Sequence, residues 1–469
     1  MKKTKTIRIP RQTTHYTCGH TSLAIVGQLL GRDISEHEIV KVMPVIPRVG
    51  LDHDHLAEYA REHYPVEHVG SDVYAGGLGI ANIKNPKSHI GHYVVMLGVR
   101  DGLYRYYCPL FGQVFTVSRE EMTWENGAGT LKNWAITFKS SHDFYETDLQ
   151  SETHVFIIGD PIETLDAKFD TSLLLMKKYH ELEQSVSWHT PRDIFTRDRT
   201  LYLSGLPVLK NDMVWMRCDP LNTVAYYEML KRLSFVDAKI LNAPKALTHF
   251  HDKLSTLWVQ DNFSTYTASS HEGVNYAIRH LKVQGFDRFV IKAPSLFGGQ
   301  GIFFASNAHE ASEAFDKVIA ASGYVIIQGF VNMGKKPVDR RILITSEKII
   351  GVVDRHAAEG SELCNLHAGG KAQKAGPLSP LQQHMVKKVQ MLMREHDIFL
   401  AGIDFLMDHL IEINVTCPSA VPQIMACGFP EADLDLIVEA YRYLDLTPSA
   451  LAQAKLPQAN FSSSAASVI

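Results

Sequence analysis

The chain lacks several things at once, and each absence removes a class of function. No apolar run among its 469 residues reaches bilayer-spanning length, so no membrane segment is expected. Cysteine is sparse: six residues, at 18, 108, 218, 364, 417 and 427, show no metal-ligand spacing and no disulfide framework. A reduced, cytoplasmic setting is the expectation that follows. A strong excess of one charge is lacking too. The formal net charge is −4, and no Lys/Arg stripe follows Met1-Lys2-Lys3-Thr4-Lys5, so no nucleic-acid surface is expected. That basic start runs into Ile7-Arg8-Ile9-Pro10-Arg11 instead of an apolar core, which argues against a secretory signal. No internal repeat is present. What remains is 45% apolar and 21% charged, a soluble globular balance over a length that calls for two or three domains.

Three stretches differ in character, and together they predict a multidomain chain of α+β and α/β units. Residues 1–140 open with a helical pattern near Cys18 and close with strands such as His92-Tyr-Val-Val-Met-Leu-Gly98. A polar linker is expected around Lys139 to Asp148. From His154-Val-Phe-Ile-Ile-Gly-Asp160 strands and helices alternate to about 240, which predicts a small α/β domain over 153–240. Residues 241–445 mix strands and helices around a glycine-bearing loop. Residues 446–469, ending in Asn460-Phe-Ser-Ser-Ser-Ala-Ala-Ser467, read as a tail.

The chemistry is densest in Gly402-Ile-Asp404-Phe-Leu-Met-Asp-His-Leu-Ile-Glu412-Ile-Asn414-Val415, which reads as two strands joined by a tight turn. Glu412 and Asn414 share one face, and a three-residue turn at 407–409 would set Asp404 opposite Glu412. Three oxygen-bearing side chains would then meet, as a hard cation holding nucleotide phosphates requires. A half-exposed hairpin with its polar side in water would show the same alternation. Upstream, the apolar run Phe289-Val290-Ile291 delivers Lys292, and Ala293-Pro-Ser-Leu-Phe-Gly298-Gly299-Gln-Gly301 follows. Glycines let backbone N–H groups approach phosphate oxygens, and a strand-borne lysine adds fixed positive charge. The apolar strand Val325-Ile-Ile-Gln328-Gly329-Phe330-Val331 breaks into a loop that can offer backbone groups to an adenine edge. Asp339-Arg340-Arg341 puts guanidinium groups at a strand start, within reach of phosphate or carboxylate.

In order along the chain, these runs resemble the bacterial glutathione synthetases of the ATP-grasp superfamily over about 153–445. The matching segments are Asp160-Pro161, Lys168-Phe-Asp170-Thr171-Ser172, Met216-Arg217-Cys218-Asp219-Pro220, Asn242-Ala-Pro244 and Asp252-Lys253-Leu254. The glycine loop, Gln328, Asp339-Arg340-Arg341, Asn365-Leu-His-Ala-Gly369-Gly370-Lys371 and Glu412-Ile-Asn414-Val-Thr416-Cys-Pro418 complete the series. The resemblance implies an ATP- and Mg2+- (or Mn2+-) dependent ligase that joins a small-molecule or peptide carboxylate to an amine through an acyl-phosphate. It implies Lys253, Lys292, Gly298, Gly299, Gly301 and Asp339 around the nucleotide, with Gln328 to Val331 at adenine. Asp404, Glu412 and Asn414 would ligate the metal, and Arg341 would steady the transferred phosphoryl group. Arg217, Asp219, Asn365, Gly369 and Gly370 fall on the family's substrate region, with residues 359–371 as a lid. Three positions depart: Cys218 replaces a lysine, Leu363 an arginine and Cys364 a glycine. Two cations are therefore missing from the substrate region. Relatives often form homo-oligomers, so such an assembly is compatible with the resemblance.

The N-terminal stretch carries a second run, Arg11-Gln12-Thr-Thr-His-Tyr-Thr-Cys18-Gly19. A cysteine at a helix start is expected to have a lowered pKa, Gln12 can donate to an oxyanion, and His92 opens a strand as a candidate base. His89 lacks the same match. Together these residues resemble the papain-like C39 cysteine peptidases over about 5–140, which implies a thiol hydrolase or amidase acting on a peptide or amide. That family's aspartate before proline is here Cys108, and a thiol orients imidazole poorly. A non-catalytic peptide- or substrate-binding module is the alternative.

Overall fold

The computed structural model describes residues 6–456, except 15, 33, 46–49, 85–90, 119, 123–132, 221–222, 251, 260–263, 295–300, 335–336, 362 and 365–368. The N-terminal part starts with β1 (Thr6–Ile9) and three helices, α1 (Cys18–Leu29), α2 (Glu36–Val42) and α3 (His53–His63). Six strands follow: β2 (Val66–Ser71), β3 (Gly79–Lys84), β4 (Gly91–Arg100), β5 (Leu103–Cys108), β6 (Gln113–Ser118) and β7 (Trp134–Phe138). They form one antiparallel sheet in the order β2-β7-β3-β4-β5-β6. The run at 93–97 is apolar because β4 is covered on both faces. Tyr93, Val95 and Leu97 pack with α1, while Val94 and Met96 join a core shared with the rest of the molecule.

The expected linker is tied down. Arg100 pairs with Asp143 and Glu146, at 2.8 and 2.5 Å, and β8 (Asp148–Ser151) pairs in parallel with β1. Next come β9 (Val155–Gly159), α4 (Thr171–Glu181) and β10 (Val186–His189), then a three-stranded meander of β11 (Ile194–Arg197), β12 (Thr200–Leu203) and β13 (Leu206–Pro207). They are followed by β14 (Met213–Arg217), α5 (Thr223–Leu233), β15 (Ile240–Leu241) and α6 (Pro244–His249). Strands β10-β9-β14-β15 make a parallel sheet, as βαβ crossovers require. Arg11 is buried against this part: its guanidinium pairs with Asp212 and donates to the carbonyls of Leu110 and Pro207.

The C-terminal part holds two antiparallel sheets. The smaller comprises β16 (Thr265–Ala268), α7 (His271–Val283), β17 (Phe289–Lys292), β18 (Ile302–Ala305), α8 (Ala308–Ser322) and β19 (Val325–Gly329), in strand order β16-β19-β17-β18 with its own apolar core. The larger comprises β20 (Val338–Thr345), β21 (Ile349–His356), β22 (Lys371–Lys374), α9 (Pro380–Glu395), β23 (Leu400–Leu406) and β24 (His409–Asn414), in order β22-β21-β20-β23-β24. One face of the larger sheet, with Ile342, Ile344, Ile403 and Phe405, packs with Met385, Val386 and Val389 of α9. Ser379 and Gln382 cap that helix as a reciprocal box, worth about 1 kcal/mol. The other face divides. Leu343, Val353 and Leu400 pack with α10 (Val421–Ala426) and α11 (Ala432–Tyr443), and its remaining length carries charge. Residues 446–456 depart from the expected tail: α12 (Ala450–Lys455) docks through Ala452 and Leu456, and the Ser449 N–H donates to Gln184. Residues 457–469 lie outside the described residues. Among the described residues no helix is long and apolar enough to cross a membrane.

Candidate functional site

The charged end of the larger sheet is written by strand alternation. Arg341 sits opposite Asp404, and Asp339 opposite Arg355, so all four share a face. Arg341 binds both carboxylate oxygens of Asp404 and donates to the Ser419 carbonyl at 3.2 Å. Arg355 grips Asp339 at 2.6 and 2.7 Å and lies 3.1 Å from Asp404. Burial alone would raise Asp404, but Arg341 and Arg355 hold it below the usual carboxylate range. Gly402 leaves room for this arrangement, since a Cβ there would stand 2.9 Å from Arg341 Nη1.

Asp404 pairs in register with Glu412, as the alternation predicts, but by a different route. The turn has two residues, Met407 and Asp408, and a bulge between Asp404 and Phe405 restores the register. Asn414 donates its amide at 3.2 Å both to Asp404 Oδ2 and to the Gly402 carbonyl, leaving the amide oxygen as its remaining acceptor. Asp404, Glu412 and Asn414 thus bring oxygen donors together at one strand pair, a set suited to Mg2+. Among the described residues no cluster of three or more His, Cys, Asp or Glu side chains forms a metal site.

Two lysines face these oxygens. Lys253 Nζ lies 3.7 Å from Glu412 and 3.4 Å from the Pro294 carbonyl. Lys292, at the end of β17, is pushed down to about 8 by burial, with Lys253 adding to the effect and Glu412 and Asp404 opposing it. Lys292 of the smaller sheet thus lies within electrostatic reach of Asp404 and Glu412 on the larger one. Gly301 turns at φ +65°, and its carbonyl accepts from Ala293. Gly298 and Gly299 lie outside the described residues. Gln328 donates to Thr265 Oγ1 at 2.8 Å, and a Cβ at Gly329 would strike the Phe286 ring. Within the run expected at adenine, the Phe330 N–H donates to the Arg288 carbonyl at 2.8 Å, and Val331 follows in the loop. Of the expected lid, Gly369 (φ +87°) and Gly370 lead into β22, whereas Asn365 lies outside the described residues.

Three contributors were given no role from sequence, although Asn242 and Asp252 stand in segments quoted for the resemblance. Arg355 escaped notice because its partner Asp339 is sixteen residues away, across a strand pair. Asp252 accepts from the Val415 N–H at 2.8 Å and from Thr416, which fastens the neighbouring Lys253 to the end of β24. Asn242 accepts from the Phe399 and Leu400 N–H groups and donates to the Leu400 and Val415 carbonyls, pinning β23 and the segment after β24.

In the N-terminal part, Gln12, Cys18 and His92 are all buried. The expectation for Cys18 is corrected: burial pushes its thiol up to about 11, against the backbone N–H groups of Tyr93 and Gly19. Desolvation outweighs the helix terminus, and the buried Glu36 adds to it. His92 Nε2 lies 3.2 Å from Cys108 Sγ, and burial pushes that thiol to about 12. Gln12 donates its amide to the Thr14 carbonyl at 2.8 Å. His89 lies outside the described residues.

Residues 252–428 match the model of the prokaryotic glutathione synthetase ATP-grasp domain. Curated relatives include the glutathione synthetase of Prochlorococcus marinus subsp. pastoris, 26% identical over 293 residues, covering 58% of this chain and 92% of that protein. That of Gloeobacter violaceus is 27% identical over 300 residues, covering 58% and 91%. Among solved structures, D-alanyl-alanine synthetase A from Vibrio cholerae is 16% identical with a TM-score of 0.45, covering 62% of this chain and 98% of that one. The C-terminal part thus carries a glutathione synthetase-like ATP-grasp domain, the chain is of the ATP-grasp ligase type, and such ligases use ATP and Mg2+. The family match begins at Asp252, so the segment resembling C39 peptidases lies outside it.

Proposed function

We propose that the chain is an ATP- and Mg2+-dependent carboxylate–amine ligase working through an acyl-phosphate, with the three-domain division at about 140, 153–240 and 241–445. The reading is carried by one observation: Glu412, paired in register with Asp404, lies 3.7 Å from Lys253 and acts with Asp404 on the buried Lys292, while Asn414 bonds Asp404. In it, Lys253 and Lys292 neutralise phosphate charge, and Asp404, Glu412 and Asn414 hold Mg2+, which supplies Lewis-acid charge at the phosphates. Arg341 positions the acyl-phosphate and stabilises the oxyanion formed when the amine attacks. Catalysis of this kind is mostly positioning and charge neutralisation, and the site is rich in fixed charge. Purified chain offered ATP, Mg2+, carboxylates and amines should release ADP and phosphate only when both substrates are present. Release with neither substrate present, or no release with any pair tried, sinks the reading.

For the N-terminal domain two readings stand. The order of Gln12, Cys18 and His92 along the chain, as in the C39 pattern, supports a thiol hydrolase or amidase. The binding module is favoured by the burial that keeps Cys18 and Cys108 neutral, since the thiolate is the nucleophile.

A further inference from the structure

Where β24 ends, the start of α4, the loop after β14 and the loop after β24 come together. Thr171 Oγ1 accepts from the Ala420 and Val421 N–H groups, both at 3.2 Å, which seats the last of these against α4. Arg217 donates to Ser172 Oγ at 3.0 Å and to the Pro418 carbonyl at 2.8 Å, while Cys417 Sγ approaches the Arg217 carbonyl at 3.3 Å. Asp170 caps α4 through the Leu173 N–H, and Asp160 accepts from the Asp219 N–H at 3.1 Å.

These contacts gather three carboxylates around two thiols. Asp160 and Asp219 act on Cys218, and Asp219 and Asp170 act on Cys417. All three carboxylates are part-exposed, whereas burial pushes Cys218 up to about 12 and keeps both thiols neutral. Arg217, the cation that weighs on both thiols, bonds the neutral oxygens of Ser172 and Pro418 and keeps its single positive charge against the three carboxylates. Negative charge therefore predominates here. A second observation is independent of the carboxylates. The Tyr226 hydroxyl, against Cys218, Cys417 and Asp252, is buried with no hydrogen-bond partner among the described residues. An unpartnered buried hydroxyl is costly, and a ligand donor would relieve it.

We propose that the substrate seated at this end carries a cationic group, an ammonium or guanidinium, in place of a second carboxylate. The proposal rests on the ligase reading and names the substrate class of that site. A cation placed here meets Asp160, Asp170 and Asp219, and its N–H groups find an acceptor in the Tyr226 oxygen. A lysine at position 218, as in the resembling family, would cancel part of this acidity and admit an anionic group instead.

The test uses the full chain with ATP, Mg2+ and a matrix of carboxylates and amines, each series differing only in one distal group: neutral, anionic or cationic. ADP release should show kcat/KM at least tenfold higher for the cationic than for the anionic member in one series. Cys218→Lys should reverse that preference. Because a buried lysine can unfold the chain, Asp160→Asn is measured beside it and should weaken the preference several-fold. Active turnover with anionic members preferred, or with no preference in either series, overturns the inference and leaves the ligase reading standing. So does a cationic preference that neither folded variant moves. No turnover with any pair removes the ligase reading and this inference together.

Discussion

Arg341 holds Asp404 by both carboxylate oxygens from directly across the β20–β23 strand pair. A group proposed to meet phosphate is thus neutralised by a group proposed to meet Mg2+, and each keeps the other desolvated at low cost. Arg341→Ala leaves Asp404 with Arg355 and Asn414 as remaining partners. The expected loss is about 3 kcal/mol in chemical denaturation, as for other broken buried pairs. The fall in kcat should be about 10²–10³-fold, measured by ADP release.

Gly402→Ala tests the space beneath that guanidinium. The new Cβ would lie 2.9 Å from Arg341 Nη1 and 3.2 Å from Cδ, so the arginine has to move. A destabilisation of about 1–3 kcal/mol is expected from overpacking. Catalytic rate should fall more than nucleotide affinity, because Lys253 and Lys292 are untouched. Equal losses in both would show that Arg341 is not the residue displaced.

Lys292 gives a pH signature. Burial lowers it from 10.5 to about 8, so between these values the unfolded chain binds more protons than the folded one. Stability of the nucleotide-free chain therefore rises with pH across that window. ATP affinity should run the other way and weaken above about 8, as the ammonium is lost. Lys292→Met should flatten both profiles, read by denaturant melts and nucleotide titration at matched pH values.

Arg11 and Asp212 tie the N-terminal sheet to the parallel sheet, and both are fully buried. Arg11→Ala leaves Asp212 with only neutral donors, the N–H groups of His154 and Leu209. Breaking this pair should cost about 3–5 kcal/mol. Calorimetry is expected to resolve two transitions in the variant and one in the native chain; a single transition in the variant would mean that the shared apolar core suffices for coupling.

Cys18 should behave as a buried thiol. With its pKa pushed up to about 11, alkylation by iodoacetamide at neutral pH should be slower than for a free thiol and should accelerate above pH 9. Fast labelling at pH 7 that is lost in His92→Ala would instead support the hydrolase reading.

The parts of the site legible in sequence are those set by period-two alternation. Glu412 and Asn414 had to share a face, and a lysine ending Phe289-Val-Ile had to emerge from a buried strand. Less was legible where burial competes with local chemistry. Cys18 lies at a helix start, yet its protonation is decided by what covers it, and the Phe330 N–H is taken by the Arg288 carbonyl, forty-two positions back.

By itself the sequence determined strand and helix periodicity, the order of the ligase motifs and the charge lost at position 218, because these are properties of neighbouring residues. The tertiary structure alone decided which charges meet. Arg355 reaches Asp404, Asp252 fastens Lys253, and Arg11 finds Asp212 across 201 residues. Such pairs form only when packing brings distant segments together and removes water, and no local pattern records that event.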